Sequence, residues 1–227
     1  MSLDIAITSK FFGKAQVLGE IALSLPAGQI AALQGPSGCG KSTLMSLIAG
    51  LDPDYDGWIT TPDGPVAMAF QAPRLLPWRT LAQNIALIPG AGGLDRARAL
   101  LARVGLEGAA DQFPQKVSLG MQRRAALARA LAIKPALILM DEPLVSLDAE
   151  TATDMRGLIA QTLAESGATT LISTHDRREA LHLADRVIAL GGSPTGVLSD
   201  RENPVPRDGR LDPARIEDVH NDWYAGH

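Results

Sequence analysis

Apolar and polar positions alternate at the start of the chain. Ile5-Ala6-Ile7 and Ile21 to Leu25 read as half-buried strands, with Phe11-Phe12-Gly13-Lys14 as the turn between them. Gln29 to Gln34 is a short apolar run, followed by a glycine-rich segment and then by Thr43 to Gly50 at helical spacing, with Gly50 as the stop. Two short strands are predicted within residues 57 to 70, around the turn cluster Thr60-Thr61-Pro62-Asp63-Gly64. From 72 to 135 the pattern changes to Ala, Leu and Arg at helical spacing, over 95–104 and 120–133, with Pro and Gly joints, which predicts a helical insert. Pro135 to Met140 is a continuous apolar run too short for an ordinary helix, as expected of a strand buried on both faces of a parallel sheet. A helix over 151–166, a second buried strand over 169–173, a helix over 177–184 and a last strand over 186–190 follow. The remainder, from Gly191, reads as a polar tail in which 212–224 forms a helix ending in Trp223-Tyr224. Alternating strands and helices predict an α/β fold with a mostly parallel sheet, preceded by an antiparallel β region. In such sheets ligands bind at the carboxyl ends of the strands, where Gly35, Asp141 and Thr174 fall.

Composition narrows the function classes. A chain of 227 residues with 46% hydrophobic and 20% charged residues is ordinary globular usage, expected to form one domain over 1–227. Within it, 1–71 and 136–190 form the core, 72–135 the insert and 191–227 the tail. The formal charge of −4 repels phosphate backbones, so nucleic acid is not an expected partner. One cysteine excludes an internal disulfide framework and a multi-cysteine zinc site. No basic and apolar leader opens the chain, and the longest uncharged stretch, 21–40, is broken by Pro and Gly. The expectation is a protein made and kept inside the cell that does not itself cross a membrane.

The chemistry concentrates at two strand ends. Gly35-Pro36-Ser37-Gly38-Cys39-Gly40-Lys41-Ser42 fits G-x-x-x-x-G-K-[ST] between a strand and a helix, the P-loop context. The glycines let backbone N–H groups wrap a polyphosphate and the helix start adds its positive dipole end. Lys41 would reach the β and γ phosphates and Ser42 would ligate Mg²⁺. Asp141, at the end of a buried strand, is placed to hold Mg²⁺ directly or through water, and Glu142 to polarise a water aimed at the γ-phosphate. Cys39 within this loop is read either as a buried inert thiol or as one that alkylation would modify, blocking nucleotide.

Further motifs follow in order: Gln71 after Ala69-Phe70; Val117-Ser118-Leu119-Gly120-Met121-Gln122-Arg123-Arg124; Leu137 to Pro143 (LILMDEP); Ser146-Leu147-Asp148; and Ser173-Thr174-His175-Asp176. Together with the P-loop they resemble the ATPase subunits of ATP-binding-cassette (ABC) transporters over about residues 3 to 190. The resemblance implies a P-loop NTPase (RecA-like) fold whose nucleotide ligands run from Gly35 through Lys41 and Ser42 to Thr43, with Phe12 stacking on adenine. It implies that Gln71 touches Mg²⁺ or the attacking water, that His175 holds the γ-phosphate, and that Asp148 bridges two subunits. Ser118 and Gly120 would serve the ATP of a second copy, so the active unit is a nucleotide-sandwich dimer.

One position departs from the family pattern: Leu119 stands where its first signature glycine is usual. Should the backbone there need a glycine-only conformation, leucine would strain it by roughly 1 to 2 kcal/mol; should only side-chain direction matter, it is harmless. The expectation is a working but slow site, with a weakly hydrolysing regulatory subunit as the alternative. Arg123, Arg124 and Arg129 on an Ala-Leu helix read as a solvated or ion-paired face rather than a nucleic-acid patch.

Leu75 to Ile85 (LLPWRTLAQNI) resembles the nitrate, sulfonate and taurine importer ATPases, with the pyrimidine-precursor importers as near relatives. In them this segment helps receive a short helix of the membrane subunit. Trp78 with its leucines is read either as that docking site, rimmed by Arg74 and Arg79, or as a closure of the insert's own core. The implied partners are transmembrane permease subunits and, indirectly, a periplasmic solute-binding protein, with the ATPase peripheral on the cytoplasmic face of the inner membrane.

Overall fold

A computed structural model describes residues 2–224. In chain order the elements are β1 (Leu3–Phe12), β2 (Ala15–Leu18), β3 (Ile21–Leu25), β4 (Ile30–Gln34), α1 (Lys41–Ile48), β5 (Asp56–Thr60), β6 (Val66–Ala69), α2 (Leu81–Ala86) and α3 (Gly93–Arg103). Then come α4 (Leu119–Leu131), β7 (Leu137–Asp141), α5 (Ala149–Ser166), β8 (Thr169–Thr174), α6 (Arg177–Leu183), β9 (Arg186–Gly192), β10 (Thr195–Glu202) and α7 (Pro213–Tyr224). They group into two compact units, one of residues 2–63 with 167–224 and the other of 64–166.

The first unit is built on two kinds of strand. In β1 and β3 the residues Leu3, Ile5, Ile7, Ile21, Leu23 and Leu25 are buried while Ala22 and Ser24 are exposed, so the sequence alternation fixes which face is covered. β1 pairs antiparallel with β3 (Ile5 opposite Leu23) and with β5 (Ile5 opposite Ile59). β4 and β8 are buried at every position, and they lie parallel with Gln34 opposite Thr174, which brings two carboxyl ends side by side. β9 lies parallel to β4 on its other side.

Two strands escape the sequence pattern. The reading of 186–190 as the last strand is corrected by β10, which returns antiparallel along β9, and Arg186 pins the hairpin by donating from Nε to Asp200 Oδ1 at 2.6 Å. Its sequence, TGVLSDRE, carries almost no apolar alternation because pairing with β9 makes it a strand. β2 likewise forms by pairing with β1 after the turn at Gly13, where Phe12 was expected to lie in the turn and instead ends β1.

In the second unit β6 and β7 pair in parallel, Ala69 opposite Met140, so Phe70-Gln71 and Asp141-Glu142 leave adjacent strand ends. The helices bury Leu81, Ile85, Leu101, Val104, Ala125 and Ala128 in one cluster. Alanines on the inner face of α4 permit close approach of α2 and α3. Short α2 is fixed by a reciprocal capping box: the Gln83 N–H donates to Thr80 Oγ1 (3.2 Å) and the Thr80 N–H to Gln83 Oε1 (3.1 Å).

Candidate functional site

In the first unit, β4 delivers the chain into the glycine loop and α1 takes it away. A Cβ on Gly35 would come 2.6 Å from the Leu190 carbonyl oxygen and 2.8 Å from Cys39 Sγ, so only glycine fits there. Gly40 precedes α1 at φ +96°, and no side chain among the described residues caps that helix. Its first turn carries no acidic residue, which leaves the positive end of the dipole facing the loop. Lys41 is only 4% exposed and donates from Nζ to the carbonyls of Gly35 (2.8 Å) and Pro36 (3.0 Å), curling its ammonium into the loop. Ser37, Gly38 and Ser42 are exposed and Thr43 half-buried at the helix start, while Cys39 is half-buried with its sulfur turned toward Gly35, which favours a packed thiol.

Phe12 and His175 belong to the same unit. Phe12 ends β1 with its ring 54% exposed, and Lys10 Nζ lies 4.8 Å from the ring centroid. Lys10 is itself buried and held by Asp52 at 2.9 Å, which raises its pKa above the ordinary lysine value, so the cation beside Phe12 is permanent. His175 is exposed just past β8. Its neighbours brace it: Thr174 Oγ1 donates to Glu179 Oε2 at 2.6 Å, the Asp176 N–H donates to Thr174 Oγ1 at 3.0 Å, and Asp176 caps α6.

The second unit carries the other expected groups. Asp141 ends β7 and is buried; Glu142 follows at φ +45°, and Ser146 sits at φ +60°. Neither is a glycine, and such left-handed backbone costs about 1 to 3 kcal/mol, strain that collects at functional turns. Ser118 caps α4 by accepting the Met121 N–H at 3.2 Å, with Gly120 buried in the first turn against Thr151. Leu119 is the first helical residue, is absent from the positive-φ positions and keeps its side chain 42% exposed. The glycine-only strain considered for it does not arise. Asp148 accepts the Thr151 N–H (2.9 Å) and hydroxyl (2.7 Å); the Thr151 backbone bond is foremost in holding its carboxyl below the usual range.

Gln71 is exposed at a bend after β6, and a residue read as part of a solvated or ion-paired face supports the chain beyond it. Arg129 donates to the carbonyls of Pro73 (2.8 Å) and Arg74 (2.7 Å), and burial lowers its pKa from the ordinary arginine value. Arg74, at φ +47°, stacks over Phe70 at 3.7 Å. Arg124 keeps an ion pair, with Asp154 at 3.7 Å, whereas Arg123 is buried. Asn84, equally unmarked in the sequence, accepts the Leu76 N–H (2.7 Å) and donates to the carbonyls of Leu76, Arg79 and Thr80. This amide, together with the Arg79 N–H donating to the Leu76 carbonyl (3.2 Å), folds 76–80 into a turn that presents Trp78, 68% exposed, so Trp78 does not close the insert's core.

Comparisons agree with these motifs. A family model for ABC transporters matches residues 18–145. An aliphatic sulfonates import ATP-binding protein, SsuB 1, of Pseudomonas savastanoi pv. phaseolicola is 40% identical over 228 residues, covering 96% of each chain. The protein of the same name in Pseudomonas syringae pv. syringae is 44% identical over 220 residues, 93% of this chain and 90% of that one. Among solved structures, a dimeric post-hydrolysis state of the ATP-binding cassette MJ0796 bound to ADP and Pi superposes with a TM-score of 0.77 at 27% identity, covering 91% of this chain and all of that one. Carrying the glycine loop, the buried strand ending in Asp141 and the helix start at Ser118, this chain belongs to the ABC transporter family as an ATP-binding, ATP-hydrolysing subunit.

Proposed function

We propose that the chain powers an importer of small organic anions of the aliphatic sulfonate class, folding as a single nucleotide-binding cassette and working as a dimer with two ATP molecules between its copies. The relatives named for sulfonate import carry the cargo reading; nitrate, taurine and pyrimidine precursors are its competitors. In this reading the glycine loop from Gly35 to Thr43 wraps the phosphates, Lys41 turns its ammonium from the loop carbonyls to the β and γ oxygens, and adenine stacks on Phe12. The exposed ring and the cation beside it support that last role. Glu142 accepts the proton of the attacking water, which Gln71 orients, and His175 donates to the γ-phosphate.

Mg²⁺ would neutralise phosphate charge as the γ-phosphoryl group leaves. Among the described residues no three His, Cys, Asp or Glu cluster to hold a metal. The expected donors, the Ser42 hydroxyl, the Asp141 carboxylate and the Gln71 amide, suit an ion that keeps phosphate oxygens and water as its other ligands. Ser118 and the Gly120 N–H, at the N-terminus of α4, are proposed to meet the γ-phosphate bound by the other copy, with Asp148 at the seam between copies.

The turn built by Asn84 supports a docking role for Trp78 toward a permease subunit, from the cytoplasmic face of the membrane and in concert with a periplasmic solute-binding protein. No helix of the described residues is long and apolar enough to cross a membrane, so the transport path itself is assigned to that partner. The relaxed geometry at Leu119 favours hydrolysis over a purely regulatory subunit.

The single observation that carries the mechanism is the uncapped α1 behind a loop that only glycine fits, with Lys41 folded into it. Light scattering of Glu142→Gln protein tests it: Mg·ATP is expected to convert monomer to dimer. A monomer that binds ATP yet never pairs, with or without permease subunits, would reject the sandwich.

A further inference from the structure

A cavity of about 600 Å³ in the first unit borders the glycine loop without belonging to it. Its size is that of a small-molecule site, typically about 300 to 1,000 Å³. Of the residues assigned to nucleotide, Gly35 and Pro36 of the loop and His175 reach its wall; Ser37 to Thr43 and Phe12 do not line it. β9 and β10 give it an apolar floor through Val187, Leu190 and Leu198, and α7 closes one side with Trp223 and Tyr224, whose rings meet edge-on at 6.4 Å.

The charges around it are of one sign. Arg177 lies over the Tyr224 ring at 4.2 Å and Arg201 over the Trp223 ring at 5.6 Å. Among the described residues neither guanidinium pairs with a carboxylate, and no Asp or Glu lines the cavity. Neighbouring arginines differ: Arg178 is bidentate to Glu217 at 2.8 and 2.9 Å, and Arg186 pairs with Asp200. Stacking on a ring engages the face of a guanidinium and leaves its in-plane N–H donors for an anion. In a chain of net charge −4, two such cations over an apolar floor form a local inversion of the field.

We propose that this cavity binds a small organic anion, its charged head on Arg177 and Arg201 and its apolar body against Leu190, Leu198 and the Trp223–Tyr224 pair. The cavity adjoins the ATP site, sharing Gly35, Pro36 and His175 with it, but its two arginines stand outside the nucleotide-binding residues, and it is independent of which cargo the importer carries. It is nonetheless wired to the nucleotide loop: the Tyr224 hydroxyl donates to Gln34 Oε1 at 2.7 Å, and Gln34 is the last residue of β4 before Gly35. Ligand on the α7 side and nucleotide on the loop side therefore share one short segment of backbone.

Calorimetry of the full chain with hexane-1-sulfonate as probe, and hexan-1-ol as its uncharged counterpart, tests this. One sulfonate is expected to bind per chain with MgADP already saturating, the alcohol at least about tenfold more weakly. Arg177→Gln/Arg201→Gln is expected to weaken the sulfonate by about tenfold or more while binding MgADP as wild type does, a difference of about 1.4 kcal/mol. Leu198→Glu, at an exposed position that tolerates charge, supplies a second variant and is expected to repel the probe similarly. Sulfonate affinity unchanged in both variants, equal affinity for the alcohol, complete displacement by MgADP, or no binding at all would each overturn the proposal.

Discussion

Leu119 shows how backbone geometry, rather than residue identity, decides what a motif tolerates. Being the first residue of α4 and outside the left-handed region, it gains nothing from a glycine's freedom. Leu119→Gly is expected to leave ATP turnover within about twofold and to lower stability by up to about 1 kcal/mol, the ordinary helix penalty of glycine. Steady-state phosphate release and urea unfolding read the two effects separately, and a turnover rise of tenfold would mean that the leucine does throttle the site. Gly35 is the opposite case, since its Cβ position is already filled by the Leu190 carbonyl and Cys39 Sγ. Gly35→Ala must displace the loop stem, so nucleotide affinity is expected to fall by more than about tenfold while circular dichroism stays native; unaltered titration of a fluorescent ATP analogue would refute that cradle.

At the scale of elements, the segment 76–80 has no regular structure and is held by one side-chain amide and one backbone bond, from the Arg79 N–H to the Leu76 carbonyl. Asn84→Ala removes the acceptor for the Leu76 N–H and the donor to three carbonyls. The Leu76 and Thr80 carbonyls keep the backbone N–H groups of Arg79 (3.2 Å) and residue 84 (2.9 Å), so the Leu76 N–H and the Arg79 carbonyl are the groups that lose this partner. Leaving them unpaired costs about 1 to 3 kcal/mol, and the Trp78 fluorescence should become more quenchable as the turn loosens. A urea midpoint and quenching identical to wild type would show that the turn holds itself. This dependence was not legible in the sequence, where Asn84 is one polar residue in a short amphipathic stretch, although the Thr80–Gln83 capping box was there to be read as the start of α2. β4, β7 and β8 were legible because strands buried on both faces are written as continuous apolar runs. β10 was not, because its strand character comes from pairing with β9 and an ion pair rather than from its own pattern. The same division runs through the site: the glycine loop is local and readable, whereas the clamp of Arg129 on Pro73 and Arg74 spans more than fifty positions and appears only once the helices pack.

For the molecule as a whole, acid stability turns on a knot that ties distant parts of the chain together. The Asp185 carboxylate accepts the Ile30 N–H (2.9 Å), Arg210 (2.8 Å) and Arg207, joining the start of β4 to the segment that leads into α7. Burial by itself would raise the Asp185 pKa; the bonds from Arg207, Ile30 and Arg210 together outweigh it and bring the value down to about 2 from 3.8. A carboxyl depressed in the folded state stabilises the fold above its unfolded value and surrenders that contribution as pH falls. The window is therefore from about pH 4 down to about pH 2, and the contribution, discounted for the partial exposure of Asp185 and Arg207, is about 1 to 2 kcal/mol. Asp185→Asn keeps the shape but loses the charge, so it should lower stability at pH 7 and flatten the fall between pH 4 and pH 2. Because the mutant leaves Arg210 buried without its counter-charge, its loss at pH 7 should exceed the titratable part, and Asp185→Asn/Arg210→Met should recover some of it. Denaturant midpoints at pH 7, 4 and 3 for wild type and both variants decide the matter: parallel pH profiles for wild type and Asp185→Asn would mean that the acid limb is set elsewhere in the chain.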